Sequence, residues 1–332
     1  MNRHGWPTRE EGRRLLVRLG VPERDLPAVL EQYPDDRTPP SWWALLCESH
    51  DRLVASMDRP GKVDFLPTHA PDLGTLQGFF GIYVLLSALP DVLELHARHG
   101  IPTEVSWETL ADLGRQIGIY RRFHGRSGFD EFDWLSRHFR GLIFQLGRLQ
   151  FERSVVEEEW RSDPALIEAA GAGGRVLAIH IPEGGPLSSE MCDDALARAP
   201  RFFAQHFPDE EYRVATCDSW LLDGQLSEYL PAEANIVRFQ RRFTMLTGGV
   251  VGNQTILRFV FYRNEAALDQ LPQDTALERA VVRHLQAGRD WFVRAGWLRL
   301  EPSGSGSAGP HAKAKPGGSA TSAERPAARA DR

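Results

Sequence analysis

The chain has 332 residues, of which 42% are hydrophobic and 25% charged, a composition that suits a soluble globular protein long enough for two ordinary domains. Its net charge of -6, from Lys+Arg 39 against Asp+Glu 45, offers no global basic field for a nucleic-acid backbone. Three widely spaced cysteines, Cys47, Cys192 and Cys217, form no Cys-x-x-Cys pair, which excludes a disulfide framework and a zinc ribbon and fits a reducing cytoplasm.

The first residues, Met1 to Glu11, are polar and lack an apolar signal core. The most hydrophobic run, Phe79 to Leu89, is well short of the roughly 20 residues a membrane-spanning helix needs. Neither export nor a membrane span is expected. From Glu10 to about Leu146 the apolar residues recur at helical spacing: Leu15, Leu16 and Leu19, then Trp43, Leu46, His50, Leu53 and Val54 after the Pro39-Pro40 break. Further stripes are Leu76, Phe79, Phe80, Tyr83 and Leu86, and Leu110, Leu113, Ile117 and Tyr120. This pattern predicts an all-helical region over 1–146, with Trp42, Trp43, Phe79 and Phe80 read as its core.

Near Leu149 the pattern changes, with Leu149, Phe151, Val155 and Val156 in a strand-like stretch. After the Gly171 to Gly174 turn, Val176 to Ile181 is a nearly continuous apolar run, and a helix is expected from Ser188 to Phe207, with Met191, Ala195, Ala199, Phe202 and Phe203 on one face. Arg213 to Leu222 reads as a strand and Gln225 to Leu230 as a short helix. Ile236 to Phe243 and Thr255 to Tyr262 read as strands flanking a glycine hairpin at Gly248-Gly249 and Gly252-Asn253. A capping box, Thr275 with Glu278, opens a last helix whose face would run through Leu277, Val281, Leu285, Gly288, Phe292 and Ala295 to a stop at Gly296. The elements over 147–301 thus make an α/β domain. Residues 302–332 have too few apolar side chains to offset chain entropy and are expected to be disordered.

Two segments could carry chemistry. In His180-Ile181-Pro182-Glu183-Gly184-Gly185-Pro186-Leu187-Ser188-Ser189 the glycines allow close backbone approach, and the helix start carries unpaired N–H donors suited to an anion. A plain tight turn with a serine cap would need the same residues. Glu183, Glu190, Asp193 and Asp194 oppose a polyanion there, so cations such as Arg238, Arg241 or Arg242 would be needed, or the acidic side attracts an amine. The second segment, Thr216-Cys217-Asp218-Ser219-Trp220-Leu221-Leu222-Asp223, sets polar groups in an otherwise buried strand, which requires a hydrogen-bonded network or a site. His180 with Glu183 has no third ligand at motif spacing, so no metal is expected.

The element order strand, glycine loop, helix, strand, short helix resembles the GNAT acyltransferase core from its fourth strand onward. The wording of Leu177 to Leu187, of Cys217 to Asp223 and of Asn235 to Phe243 resembles a bacterial N-acyltransferase family with a helical N-acyltransferase N-terminal domain and a GNAT-like C-terminal domain. The resemblance implies an α+β chain: a helical domain at 1–146, a GNAT-like mixed β-sheet domain flanked by helices at 147–301, and the tail. It implies transfer from acyl-CoA or acetyl-CoA, the co-substrate, to a small-molecule amine. The donor's pantetheine arm would lie between the strands Val176–Ile181 and Arg213–Leu222 and its pyrophosphate on the loop Glu183 to Ser189, so that Ile181, Gly184, Gly185, Leu187, Ser188 and Ser189 would bind the donor. The family's Gln/Arg-x-x-Gly-x-Gly/Ala loop pattern is absent here. An unprotonated amine can attack a thioester directly, given a base for its proton, an N–H donor for the carbonyl oxygen and an acid for the departing thiolate. Glu183 or His180, directly or through water, would be the base and Tyr229 the acid, while Asp218, Ser219, Trp220 and Asp223 would receive the amine. Two other classes compete: a non-catalytic acyl-CoA or small-metabolite binder of the same architecture, and a hydrolase using Cys217 with His180. The helical half could wall the acceptor pocket or form a homodimer surface.

Overall fold

The computed structural model describes residues 6–61, 63–65, 78–263 and 267–301. Leu76 and the tail after Glu301 lie outside these. Helices α1 (Arg9–Arg18), α2 (Leu26–Glu31), α3 (Pro40–Ala55), α4 (Phe80–Ser87), α5 (Leu89–Arg98), α6 (Thr103–Leu110), α7 (Asp112–His124) and α8 (Phe132–Phe139) build the first layer. A capping box starts α1: the Thr8 hydroxyl accepts from the Glu11 N–H, and Glu11 accepts from the Thr8 N–H. Helix α4 is apolar all round because it is the centre of the bundle, with Ile82, Tyr83, Val84 and Leu85 fully buried. Trp42 meets Phe80 edge-on at 5.5 Å, the core role expected of it. Helix α7 crosses the Gly20 turn so closely that a Cβ at Gly114 would strike the Gly20 carbonyl, which only glycine avoids.

His96 on α5 is 1% exposed, packs on Phe144 at 5.3 Å, and neither ring nitrogen has a hydrogen-bond partner among the described residues. Burial holds its pKa down to about 4 from 6.5. Below pH 6.5 the unfolded chain therefore binds a proton that the folded chain refuses until about pH 4. This group should lower stability by roughly 1.4 kcal/mol per pH unit as pH falls through that window. Denaturant melts across the window should show a shallower pH slope for His96→Leu than for the parent; equal slopes would contradict the assignment.

The second layer is a sheet whose seven strands among the described residues are β1 (Ile143–Leu146), β2 (Leu149–Val155), β3 (Arg175–His180), β4 (Val214–Ser219), β5 (Thr244–Met245), β6 (Val250–Val251) and β7 (Phe292–Arg299). The order is β1-β2-β3-β4-β7-β5, with β6 also on β7. β3 and β4 pair in parallel, but their register covers only Leu177–Ala215 and Ala178–Thr216. Each strand continues on its other side: β3 against β2 as far as His180–Gln150, and β4 against β7 as far as Ser219–Arg294. The two strands thus splay from Ile179 and Cys217 onward. The chain also forms α9 (Pro164–Ala170), α10 (Ser189–His206), α11 (Asn235–Gln240), α12 (Asn253–Phe261) and α13 (Ala276–Gln286). Cys192, Ala195, Ala199 and Phe203 of α10 pack on Leu177, Ile179 and Ala215 in one core cluster.

Five expectations fail for tertiary reasons. The last residues of the helical stretch, Ile143–Leu146, are β1, buried along its whole length. Ile236–Phe243 is not a strand but mostly α11, which inserts Val237 into one core cluster and Phe239 into another. Thr255–Tyr262 is not a strand either: its residues to Phe261 lie in α12, where Ile256, Leu257 and Phe261 are buried, and Tyr262 ends that helix in the left-handed conformation. In both, packing overrides the strand preference of β-branched and aromatic residues. The capping box at Thr275 and Glu278 does open α13, but the helix ends at Gln286, with Gly288 left-handed at φ 70 just beyond. Phe292 and Ala295 belong instead to β7, and Gly296 is a strand position where a Cβ would come within 3.0 Å of Phe243. The expected hairpin exists only as β5 and β6 flanking Gly248-Gly249, each pairing with β7 rather than with the other.

Candidate active site

Two cavities meet at the splay. One, of about 500 Å³, runs between the ends of β3 and β4 and is walled by Ile179, Ile181, Cys217, Trp220, Trp134 and Phe259. The other, of about 730 Å³, lies between the sheet and the helical layer and includes Phe65, Arg137, Glu152, Trp160 and Thr216. Ile179, His180 and Asp218 line both. Beyond Ala178 and Thr216 the facing edges of β3 and β4 have no registered ladder partners. An extended amide-bearing chain can hydrogen-bond such open edges, and the apolar walls suit an acyl group.

His180 sits at the junction. Its Nε2 is 2.8 Å from a Glu152 oxygen, because His180 and Glu152 project from the same face of the paired strands β3 and β2. Burial opposes ionisation of Glu152, yet the His180 hydrogen bond and charge, with Arg137 at 3.2 Å, hold its carboxyl below the usual range. A carboxylate on Nε2 keeps the proton on that nitrogen and leaves Nδ1 as the basic lone pair. Trp134 of α8 stands edge-on to the imidazole at 4.8 Å. Its indole N–H donates to Asp112 at 3.0 Å, and the Gln150 amide donates to the other oxygen of the same carboxylate at 3.2 Å. Asp112 is 1% exposed, so the helical layer fixes one wall of the histidine from a buried anchor.

The glycine loop is held from below. Arg148 donates to the carbonyls of Pro182 at 2.9 Å, Pro186 at 3.1 Å and Gly185 at 3.3 Å. Gly184 and Gly185 have φ of 119 and 68, conformations other residues rarely adopt. Ser188 caps α10 by accepting from the Met191 N–H, and Arg242 pairs with Asp193 at 2.7 Å and donates to the Ser189 carbonyl. One of the three arginines anticipated for this loop thus reaches it and offsets its acidity.

Of the residues picked from sequence, the structure gathers His180, Ile181, Glu183, Gly184, Asp218, Ser219 and Trp220 around the cavity between the strands. Gly185, Leu187, Ser188 and Ser189 form the loop and helix start, with Leu187 buried in the core below. Glu183 is engaged elsewhere: its carboxylate takes Arg122 of α7 and the Tyr262 hydroxyl, tying the two layers across the mouth. Asp223 is 1% exposed and structural, accepting from the N–H groups of Gln225 at 3.1 Å and Phe292 at 2.8 Å. Tyr229 lies outside both cavities, with its hydroxyl 3.0 Å from His284 Nδ1 and its ring against Trp291. Cys217 is 2% exposed, burial pushes its thiol far up, and it belongs to the core under α10, so it does not form a nucleophile pair with His180. Sequence reasoning missed Glu152, Asp112, Trp134 and Arg148. Only Glu152 left a signal, as the polar face Gln150, Glu152, Ser154 alternating with Leu149, Phe151, Arg153 along β2.

A helical layer over a mixed sheet with one splayed parallel pair, a loop and helix start beside the opening, and a histidine–carboxylate pair at its end define a GNAT-type acyltransferase. Residues 10–141 match the N-acyltransferase N-terminal domain and residues 143–298 the GNAT-like C-terminal domain. The chain belongs to this N-acyltransferase family and is an acyl-CoA-dependent N-acyltransferase. Similar solved structures include an acyltransferase in complex with decanoyl-CoA, at 40% identity over 89% of each chain and a TM-score of 0.80. Others are an acyltransferase with decanoyl-CoA and teicoplanin, at 40% identity over 89% of each chain and a TM-score of 0.79, and one with CoA and 10C-teicoplanin, at 40% identity over 88% of each chain and 0.78. A comparison with curated proteins gives no match. No single helix among the described residues is long and apolar enough to cross a membrane.

Proposed function

We propose that the protein acylates an amine on a large peptide-derived scaffold of the glycopeptide kind, using a medium-chain acyl-CoA, with His180 as general base. The observation that carries this reading is His180 with its Glu152 partner at the meeting point of the two cavities. The donor enters between β3 and β4 with its acyl group against Ile179, Ile181, Trp220 and Phe259. The acceptor occupies the larger cavity between sheet and helices, and Asp218 draws its ammonium group to the junction, where it first releases one proton to solvent to expose the nitrogen lone pair. His180 Nδ1 takes a second proton as the amine nitrogen bonds to the thioester carbonyl carbon. The C–S bond then breaks, and the imidazolium returns that proton to the departing CoA sulfur, so no separate tyrosine acid is required. Crystallised relatives that hold decanoyl-CoA and teicoplanin support both substrate classes. Cys47, Cys192 and Cys217 are all free thiols, which supports a reducing cytoplasmic setting.

Incubation with decanoyl-CoA and a glycopeptide bearing a free amine should release one CoA thiol per N-decanoyl product, read by thiol titration and mass spectrometry. Thiol release without an N-acyl product would overturn the reading.

A further inference from the structure

The larger cavity carries more negative charge than one reactive amine needs. Its acidic lining residues are Asp64, Asp133, Glu152, Glu157, Glu159 and Asp218. Glu152 is taken by His180 and Arg137. The other five carboxylates have no ion-pair partner among the described residues. The guanidiniums on the same walls are committed: Arg153 to Asp58 and Glu210, Arg140 to the carbonyls of Ser56, Arg59 and Gly61, and Arg137 to Glu152.

Glu157 precedes and Glu159 lies within a short 3-10 turn, Glu158–Trp160, just after β2, and the half-buried Trp160 ends that turn on the cavity wall. An aromatic face beside two carboxylates is the arrangement that recognises an ammonium group. Burial raises the Asp218 carboxyl first, and the charges of Glu159 and Glu157 raise it further, so the three act on one volume. A second observation stands apart from charge. Thr216 is 1% exposed, lines this cavity next to Asp218 on the same strand face, and its hydroxyl has no hydrogen-bond partner among the described residues. A buried hydroxyl with free donor and acceptor capacity calls for a polar ligand group.

Building on the acceptor reading above, we propose that this cavity holds a second cation subsite, formed by Glu157, Glu159 and Trp160, and that the enzyme prefers acceptors carrying another ammonium group besides the amine it acylates. Asp218 receives the reactive amine beside His180, Thr216 contacts the scaffold between the two ends, and the acidic turn holds the distal cation. Because the subsite touches neither the thioester nor His180, it selects the acceptor without altering the chemical step.

The test uses one glycopeptide acceptor with a single reactive primary amine in two tethered forms, one bearing a trimethylammonium group and the other its neutral tert-butyl isostere. Neither added group can be acylated. With decanoyl-CoA, kcat/KM should be about tenfold higher for the charged form at low salt, shrinking as salt screens the attraction. In a Glu157→Gln/Glu159→Gln variant the preference should vanish while decanoyl-CoA affinity stays unchanged. Equal use of both forms by the parent enzyme, or an undiminished preference in the variant, overturns the subsite and leaves acyl transfer intact. Failure to acylate either form while decanoyl-CoA binds overturns the acceptor reading itself, and the subsite with it.

Discussion

His180→Ala should lose about 10²–10³-fold in kcat for N-acylation, the range of a positioned general base, while decanoyl-CoA still raises the melting temperature. His180 is the one histidine lining the two cavities among the described residues, and the Glu152 carboxylate on its Nε2 leaves Nδ1 to accept a proton. Glu152→Gln keeps the size and a hydrogen bond but removes the charge that fixes the proton on Nε2, so a smaller loss of about 10–100-fold is expected. Tyr229→Phe should turn over at the parental rate, since its hydroxyl faces His284 rather than substrate. Glu183→Gln should weaken the tie to Arg122 and Tyr262 without a comparable fall in kcat. A large loss in either of these two variants with a small loss in His180→Ala would reverse the assignment. Single-turnover rates at saturating acyl-CoA are the measurement.

Arg148→Ala should weaken acyl-CoA binding by at least about tenfold, because three loop carbonyls lose their donor at a largely buried site and each such loss costs about 1–3 kcal/mol. The side chain is 8% exposed, so water cannot readily replace it. Two adjacent glycines at positive φ leave the loop with little intrinsic preference for its bound shape; the guanidinium fork supplies that preference. Arg148→Lys keeps the charge but cannot reach three carbonyls in a fixed plane, and most of the affinity should still be lost. If Lys restores binding, Arg148 acts as a charge for CoA rather than as a scaffold for the loop. Calorimetric titration with decanoyl-CoA separates the two.

These two residues differ in how visible they were beforehand. His180 stood out because it ends an apolar strand just before a glycine loop and helix start, a purely local pattern that the resemblance then tied to acyl transfer. Arg148 is an arginine in a turn between two strands and has no local mark. Its role exists only because β2 and β3 pair and bring the loop over it. Glu152 is intermediate: its polar face along β2 was readable, but its partner 28 residues away was not.

Some features follow from the sequence alone. Helical spacing of leucines and tryptophans, capping boxes at Thr8 and Thr275, and the run of apolar strand, glycines and amphipathic helix from Val176 to Phe207 are local, and local periodicity and backbone preference determine them. Tertiary structure decided the rest. It turned Asn235–Gln240 into a helix between two core clusters and Asn253–Phe261 into a helix packed in one of them, and made Phe292–Arg299 the strand next to β4. It also brought Trp134 from the helical layer against His180 with Asp112 behind it, and paired Glu183 with Arg122 and Tyr262, and Tyr229 with His284. The reason is the same in each case: side-chain burial and pairing across long sequence separations outweigh preferences of a few tenths of a kcal/mol per residue, and no local pattern records which distant partner a residue will meet.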